Sequence, residues 1–234
     1  MQIAIDGPAG AGKSSVAKEV ARRLGLVYLD TGAMYRAITL KALNEGVDVN
    51  DGQMLSHLTK NCKLEVVYDD NLGNRIVMDG DDITEEIRAP RVNQKVSMVA
   101  KSPEVRKELV HLQRAIAKKT GGIIMEGRDI GTNVLTGAPF KFFLSADVEE
   151  RARRRWLEMK EKNVEVPFEE LLEEIAMRDR IDQEREDDPL RAAPDACVID
   201  TTAFSFEEVV QKLLEMIRSA TRDLQKKGCS GEVR

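Results

Sequence analysis

The chain has 234 residues, 42% hydrophobic and 33% charged, with a formal net charge of −5. That length supplies one substantial core with room for a small inserted lobe, and does not require two independent domains. The negative balance excludes bulk attraction to nucleic-acid phosphates or acidic membranes, so any anion site has to be a local cluster.

Cys62, Cys197 and Cys229 are odd in number, far apart and without metal-ligand spacing, which fits reduced thiols better than a disulfide framework or a zinc site. No signal-peptide pattern opens the chain, and no apolar run nears the roughly 20 residues of a membrane span. A cytoplasmic protein with no membrane or nucleic-acid partner is expected.

Residues 2–6 carry an apolar centre and end in an acid, as a buried parallel strand does. Gly7-Pro8-Ala9-Gly10-Ala11-Gly12-Lys13-Ser14 follows at once and matches the GxxxxGKS phosphate-binding loop, with Ser15 and a helix-forming run over 14–24 behind it. Glycines let such a loop wrap with its N–H groups inward, and the helix N-terminus adds the positive end of its dipole. Lys13 then reaches the β- and γ-phosphates as a point charge, and the Ser14 hydroxyl is placed to ligate Mg²⁺.

A second strand, 26–30, ends in Asp30 and passes through a tight turn at Thr31 and Gly32 to a helix over 35–44 that opens with Tyr35 and Arg36. Ligands of open α/β sheets bind outside the carboxyl ends of the strands, so these residues face the same cleft. Asp30 has two readings, orienting a magnesium-bound water or capping the helix.

Residues 62–68 and 75–79 alternate like strands about the turn-rich Asp69-Asp70-Asn71-Leu72-Gly73-Asn74, a hairpin in an inserted lobe. Helical segments with polar faces follow from about residue 90 to 119. A third strand, 122–126, leads into Glu126-Gly127-Arg128-Asp129-Ile130-Gly131-Thr132, and a fourth, 140–145, into a helix over 148–162.

In that helix Arg151, Arg153, Arg154 and Arg155 form a dense cationic run, with 151, 154 and 155 on one face; salt bridges to Glu149, Glu150 and Glu158 are the competing reading. The segment Arg178-Asp179-Arg180-Ile181-Asp182-Gln183-Glu184-Arg185 reads either as part of an acceptor site or as a solvated charged helix. A fifth strand over 196–200 and a helix over 206–225 complete the pattern, with a frayed tail over 226–234. Strands alternating with helices predict an α/β, three-layer P-loop sandwich around a five-stranded parallel sheet.

The chain lacks the guanine-reading NKxD element of GTPase switches, and its third strand ends in glutamate where motor ATPases usually carry an aspartate. Small-molecule kinases are therefore favoured, with an anionic acceptor.

The segments IDGPAGAGKS, DTGAMYR, GRDIGT and RDxxDxxR, in that order, resemble the bacterial cytidylate kinases, and the likeness extends to about Leu224. The resemblance implies a nucleoside monophosphate kinase of pyrimidine metabolism, taking ATP, CMP or dCMP and Mg²⁺ as a monomer. It also implies a nucleoside monophosphate-binding lobe over about 58–97 and a lid over about 148–165.

Residue by residue, the resemblance makes Arg36, Arg128 and Arg185 the grip on the acceptor phosphate, and Asp182, supported by Arg178, the holder of the ribose hydroxyls. Ser97, Arg106 and Asp129 read the cytosine edge, while Thr31 and Tyr35 line the nucleoside site. Lys13, Arg128 and Arg185 form the catalytic set. Gly7, Pro8, Ala9, Gly10, Ala11, Gly12, Lys13, Ser14 and Ser15 hold ATP, with Arg151, Arg154 and Arg155 closing over it and Ser14 on the metal. The family's DGRD pattern departs here to Glu126. Ser97 and Arg106 also read as surface polar residues, and a kinase for adenylate or shikimate or a non-catalytic nucleotide-binding module stays open.

Overall fold

The computed structural model describes residues 1–69, 73–161 and 163–229. Five parallel strands, β1 (Gln2–Asp6), β2 (Val27–Asp30), β6 (Ile123–Gly127), β7 (Phe140–Ser145) and β8 (Cys197–Asp200), form one sheet in the order β2-β6-β1-β7-β8. Register pairs Asp6 with Gly127 and Asp30 with Glu126, so the acidic strand ends and the loops behind them emerge at one edge. The positions of these five strands expected from the sequence hold to within a residue.

Both faces of the sheet are covered, which is why the strands are nearly continuous in apolar residues. Ile3, Ile5, Ile124 and Leu144 pack under α1 (Lys13–Leu24) and α8 (Phe206–Cys229), whose Val16, Val20, Val209, Leu213 and Ile217 form apolar stripes at helical spacing. Ala4, Leu29, Ile123 and Met125 pack on the opposite face under α2 (Thr31–Asn44) and α5 (Pro103–Lys119). Each large side chain buried in this way stabilises the fold by about 1.5–3 kcal/mol.

Between α2 and α5 lie α3 (Gly52–Asn61), the antiparallel strands β3 (Leu64–Asp69), β4 (Gly73–Met78) and β5 (Asp81–Asp82), and α4 (Pro90–Val99). The expected hairpin is present, with Leu64 opposite Met78 and Val66 opposite Ile76, and a short third strand joins it. Positions 70–72 of its turn lie outside the described residues. Ile76, Met78, Ile83 and Ile87 share one apolar cluster with Ile38 and Leu40 of α2, so this segment's core is continuous with that of the main sheet.

Two helices lie between β7 and β8, α6 (Val148–Glu161) and α7 (Phe168–Glu184). Helix α7 contains the charged RDRIDQE stretch, and α3 was not foreseen. Helix α2 begins at Thr31 rather than Tyr35, because Asp30 accepts a hydrogen bond from the Ala33 N–H at 3.0 Å and caps it. The expected turn at residues 31 and 32 is thus the first helical turn. Helix α8 runs through 226–229 of the expected tail, and 230–234 lie outside the described residues. Among the described residues no helix is long and apolar enough to cross a membrane.

Candidate active site

The loop after β1 leaves the sheet so close to β7 that a Cβ on Gly7 would lie 2.0 Å from the Leu144 carbonyl oxygen, and Gly7 has φ 146°. Only glycine fits there. Gly12, at φ 81°, then turns the chain into α1, which starts at Lys13. The Lys13 ammonium is buried and donates to the Pro8 carbonyl at 2.7 Å. Burial, with the positive charge of Arg128 nearby, pushes its pKa down to about 7.

The loop faces a cleft of ≈ 860 Å³ that continues past the ends of β2 and β6 to α4, α5 and α7. Every site residue named from the sequence except Gly7, Pro8 and Arg151 lines it. Glu126, at the end of β6, is buried and accepts from the Tyr28 hydroxyl at 2.8 Å, with the Ser14 hydroxyl near enough to favour its ionised form. Desolvation, then the nearby Asp30 charge, raises its carboxyl pKa. The Thr31 hydroxyl donates to the Glu126 main-chain oxygen at 2.7 Å, tying α2 to β6.

No three His, Cys, Asp or Glu side chains cluster among the described residues, yet Mg²⁺ keeps several waters and needs only one or two protein oxygens. The buried Glu126 carboxylate against the Ser14 hydroxyl fits that demand. Of the two readings of Asp30, the structure shows the helix cap.

On the acceptor side, the Arg128 Nε meets the Asp182 carboxylate at 2.7 Å. Burial opposes ionisation of Asp182, but the Arg128 and Arg178 charges outweigh it and hold its pKa below the usual carboxylate range. The carboxylate is therefore anchored by Arg128, while Arg178 acts on it through its field, without a hydrogen bond. The Nε of Arg178 is buried without a partner among the described residues, and desolvation together with Arg128 and Arg36 depresses that guanidinium's pKa to about 9. Arg36 donates to the Asn93 side-chain oxygen at 3.1 Å. Such a density of buried, mutually repelling cations is what a bound phosphate relieves.

Farther along the cleft, the Arg106 Nη2 bridges Asp129 at 2.5 Å and Asp188 at 2.9 Å, and its guanidinium lies 6.0 Å from the Tyr35 ring centroid. Arg185 approaches the other Asp129 oxygen at 3.4 Å. Ser97 and Arg106 are both buried and line the cleft, which rules out their reading as surface polar residues. Desolvation pushes the Tyr35 hydroxyl up to about 12, so it stays a neutral donor.

The arginines of α6 divide. Arg151 is buried, donates to the Ala146 and Ala9 carbonyls at 2.8 and 3.0 Å, and pairs with Asp179 at 2.6 Å. It buttresses the phosphate loop from behind. Arg153 and Arg154 pair with Glu150, Arg154 also binds the Thr201 carbonyl at 2.7 Å, and Arg155 pairs with Glu158. The competing salt-bridge reading thus describes these three, although they also border the cleft.

Sequence reasoning missed Arg88, Asn93, Thr201, Phe204 and Phe206 on the cleft wall, and Asp6 and Asp188 behind it. Asp6 carried a signal, as the acid that ends β1; the others stand outside any motif.

A parallel sheet with a phosphate loop after its first strand, opening into a cation-lined acceptor cleft, defines a P-loop kinase. The family described as cytidylate kinase matches residues 3–219 of this chain. Cytidylate kinases of Caldanaerobacter subterraneus and Geobacillus kaustophilus are 51% and 53% identical to it, over 95% and 93% of this chain and 96% of each relative. This chain belongs to the cytidylate kinase family. A gluconokinase from Sinorhizobium meliloti shares the fold at a TM-score of 0.50, with 14% identity over 97% of this chain and 96% of that one.

Proposed function

We propose that this chain transfers the γ-phosphoryl group of ATP to CMP and dCMP, giving CDP and dCDP, as a cytoplasmic monomer of pyrimidine metabolism. The carrying observation is the juxtaposition, in one cleft, of the Lys13 loop, the Arg36, Arg128, Arg178 and Arg185 cations and the Arg106–Asp129 pair beside Tyr35. Family membership supplies the acceptor's identity.

Phosphoryl transfer asks the protein mainly for alignment and charge neutralisation, and a CMP phosphate needs no strong base to attack in line. Residues 7–15 cradle the triphosphate, and Lys13 stabilises the moving group. Arg151 holds this loop through the Ala9 carbonyl, and Arg154 and Arg155 line the donor end. Mg²⁺, held by Ser14 and Glu126, would neutralise charge on the β- and γ-oxygens.

Arg36, Arg128 and Arg185 grip the acceptor phosphate with planar forks that match its oxygens. Asp182, in the field of Arg178, takes the ribose hydroxyls, and Thr31 and Tyr35 line the nucleoside site. Closure of a lobe over about 58–97 and a lid over about 148–165 excludes water that would hydrolyse ATP.

Ser97, Arg106 and Asp129 select the base. Cytosine offers an amine donor where uracil presents a carbonyl, which the Asp129 carboxylate repels. A buried group left unpaired costs about 1–3 kcal/mol, or roughly 5- to 150-fold in kcat/KM. A coupled ADP-release assay with CMP, dCMP, UMP, AMP and shikimate tests this, with CMP and dCMP expected to lead UMP by that margin. Equal rates for CMP and UMP would remove the base-reading role, and ATP binding without acceptor-dependent ADP release would mark a non-catalytic module.

A further inference from the structure

Arg106 borders two spaces: the substrate cleft, and a separate hollow of ≈ 600 Å³ behind it, lined also by His111, Arg114, Asn133, Asp187 and Asp188. Asp188 lines the hollow and stays out of the cleft, so its influence on a substrate passes through other side chains. Its carboxylate oxygen Oδ2 accepts from Arg106 Nη2 at 2.9 Å and from the Asn133 amide at 2.8 Å. The same amide lies 3.2 Å from Asp129. The main-chain carbonyl of Asp188 accepts both Nε, at 2.7 Å, and Nη2 of Arg185.

One residue thus holds a cytosine-side cation by its side chain and a phosphate-side cation by its backbone. Asp188 keeps this posture at φ 47°, a left-handed conformation that asparagine and aspartate tolerate and glycine adopts freely. Arg106 has little else to hold it at this end. Its Nε and Nη1 are buried without partners among the described residues, so Asp129 and Asp188 together fix where the guanidinium sits.

We propose that Asp188 is a specificity-determining positioning residue: by clamping Arg106 from behind it sets the Arg106–Asp129 pair in the geometry that reads the base, and by its carbonyl it aims Arg185 at the acceptor phosphate. This rests on the acceptor reading given above. Without the carboxylate, Arg106 swings on Asp129 alone and occupies the acceptor oxygens that the cytosine amine requires.

Two variants that keep the backbone conformation test the idea. Asp188→Gly preserves the positive φ and the carbonyl that Arg185 uses, and deletes only the clamp on Arg106 and Asn133. It is expected to raise KM for CMP about tenfold, the loss of a hydrogen bond to a charged group, and to lower the CMP-to-UMP ratio of kcat/KM at least several-fold. KM for ATP and the melting temperature stay near the parent's. Asp188→Asn retains an oxygen acceptor for Arg106 but loses its charge, and should recover most of the loss, leaving KM for CMP raised about two- to threefold over the parent's.

An unchanged CMP KM and CMP-to-UMP ratio in Asp188→Gly overturns the proposal, as does an equal rise in KM for ATP or an Asp188→Asn variant no better than glycine. Should the glycine variant not fold, Asp188→Asn decides alone: a modest rise confined to KM for CMP supports the role, and no rise overturns it. A parent enzyme that does not prefer CMP overturns the acceptor reading itself, whereas a CMP-selective parent with indifferent variants overturns only the part given to Asp188.

Discussion

The donor and acceptor halves of the cleft are made of different material. Around the triphosphate site the chain offers backbone: a loop forced through positive φ at Gly7, Gly10 and Gly12, a helix N-terminus, and the cation Lys13, with the paired arginines of α6 at its border. Around the acceptor it offers side chains from distant elements, Arg36 on α2, Ser97 on α4, Arg106 on α5, Arg128 and Asp129 after β6, and Arg178, Asp182 and Arg185 on and beyond α7. Most of these acceptor groups are paired with one another before any substrate is considered. A backbone cage depends on a few glycines and tolerates other change, whereas a buried charge network is only as good as each pair, since removing one partner strands the other.

The sharpest test of this contrast is Lys13→Ala. It removes the donor half's buried ammonium and its hydrogen bond to the Pro8 carbonyl while leaving the loop glycines and the core in place, so turnover should fall about a thousandfold or more while the melting temperature and KM for CMP stay close to the parent's. Retention of near-parental ADP release would break the donor assignment. A smaller, one-sided effect is expected from Asp182→Ala, which strands Arg128 and leaves the ribose without its acceptor. KM for CMP should rise about 10- to 100-fold with KM for ATP nearly unchanged, read from initial rates at saturating co-substrate. Equal damage to both constants would show that the halves are mechanically one.

The same contrast explains what the sequence made legible. The phosphate loop is contiguous and its glycines have one geometric meaning, so Gly7 to Ser15 could be read directly, as could the parallel strands, whose apolar runs report burial on both faces. The start of α2 was misread by four residues because Asp30 carries two signals, strand end and cap, and the cap decides. Arg151, Arg154 and Arg155 share a helix face as expected, but a face does not reveal partners: Arg151 is turned under the loop to the Ala9 carbonyl. The acceptor side became readable residue by residue only through family resemblance. Even then Asp188 escaped, because its partners Arg106 and Asn133 stand 82 and 55 residues away and no motif marks a loop aspartate whose φ happens to be positive.

Asp6 stands where the two halves meet, and supplies the smallest and most specific test. It ends the strand that feeds the phosphate loop, yet its buried carboxylate accepts the N–H groups of Ile130 and Gly131, each at 2.7 Å, and so holds the segment that carries Arg128 and Asp129. Burial outweighs those two hydrogen bonds and raises its pKa to about 6, against 3.8 for an ordinary aspartate. Between these values the folded chain binds more protons at this site than the unfolded chain does. Its contribution is therefore fully present below the unfolded pKa and is lost as pH rises through about 6. Asp6→Asn abolishes that titration while keeping the side chain's size and one oxygen acceptor. The parent's stability relative to Asp6→Asn should then grow by roughly 1 kcal/mol between pH 7 and pH 5, measured by urea unfolding at both values. A difference that stays constant, or that shrinks toward pH 5, would mean that Asp6 is ionised throughout and ties the acceptor loop to the donor strand as a permanent charge.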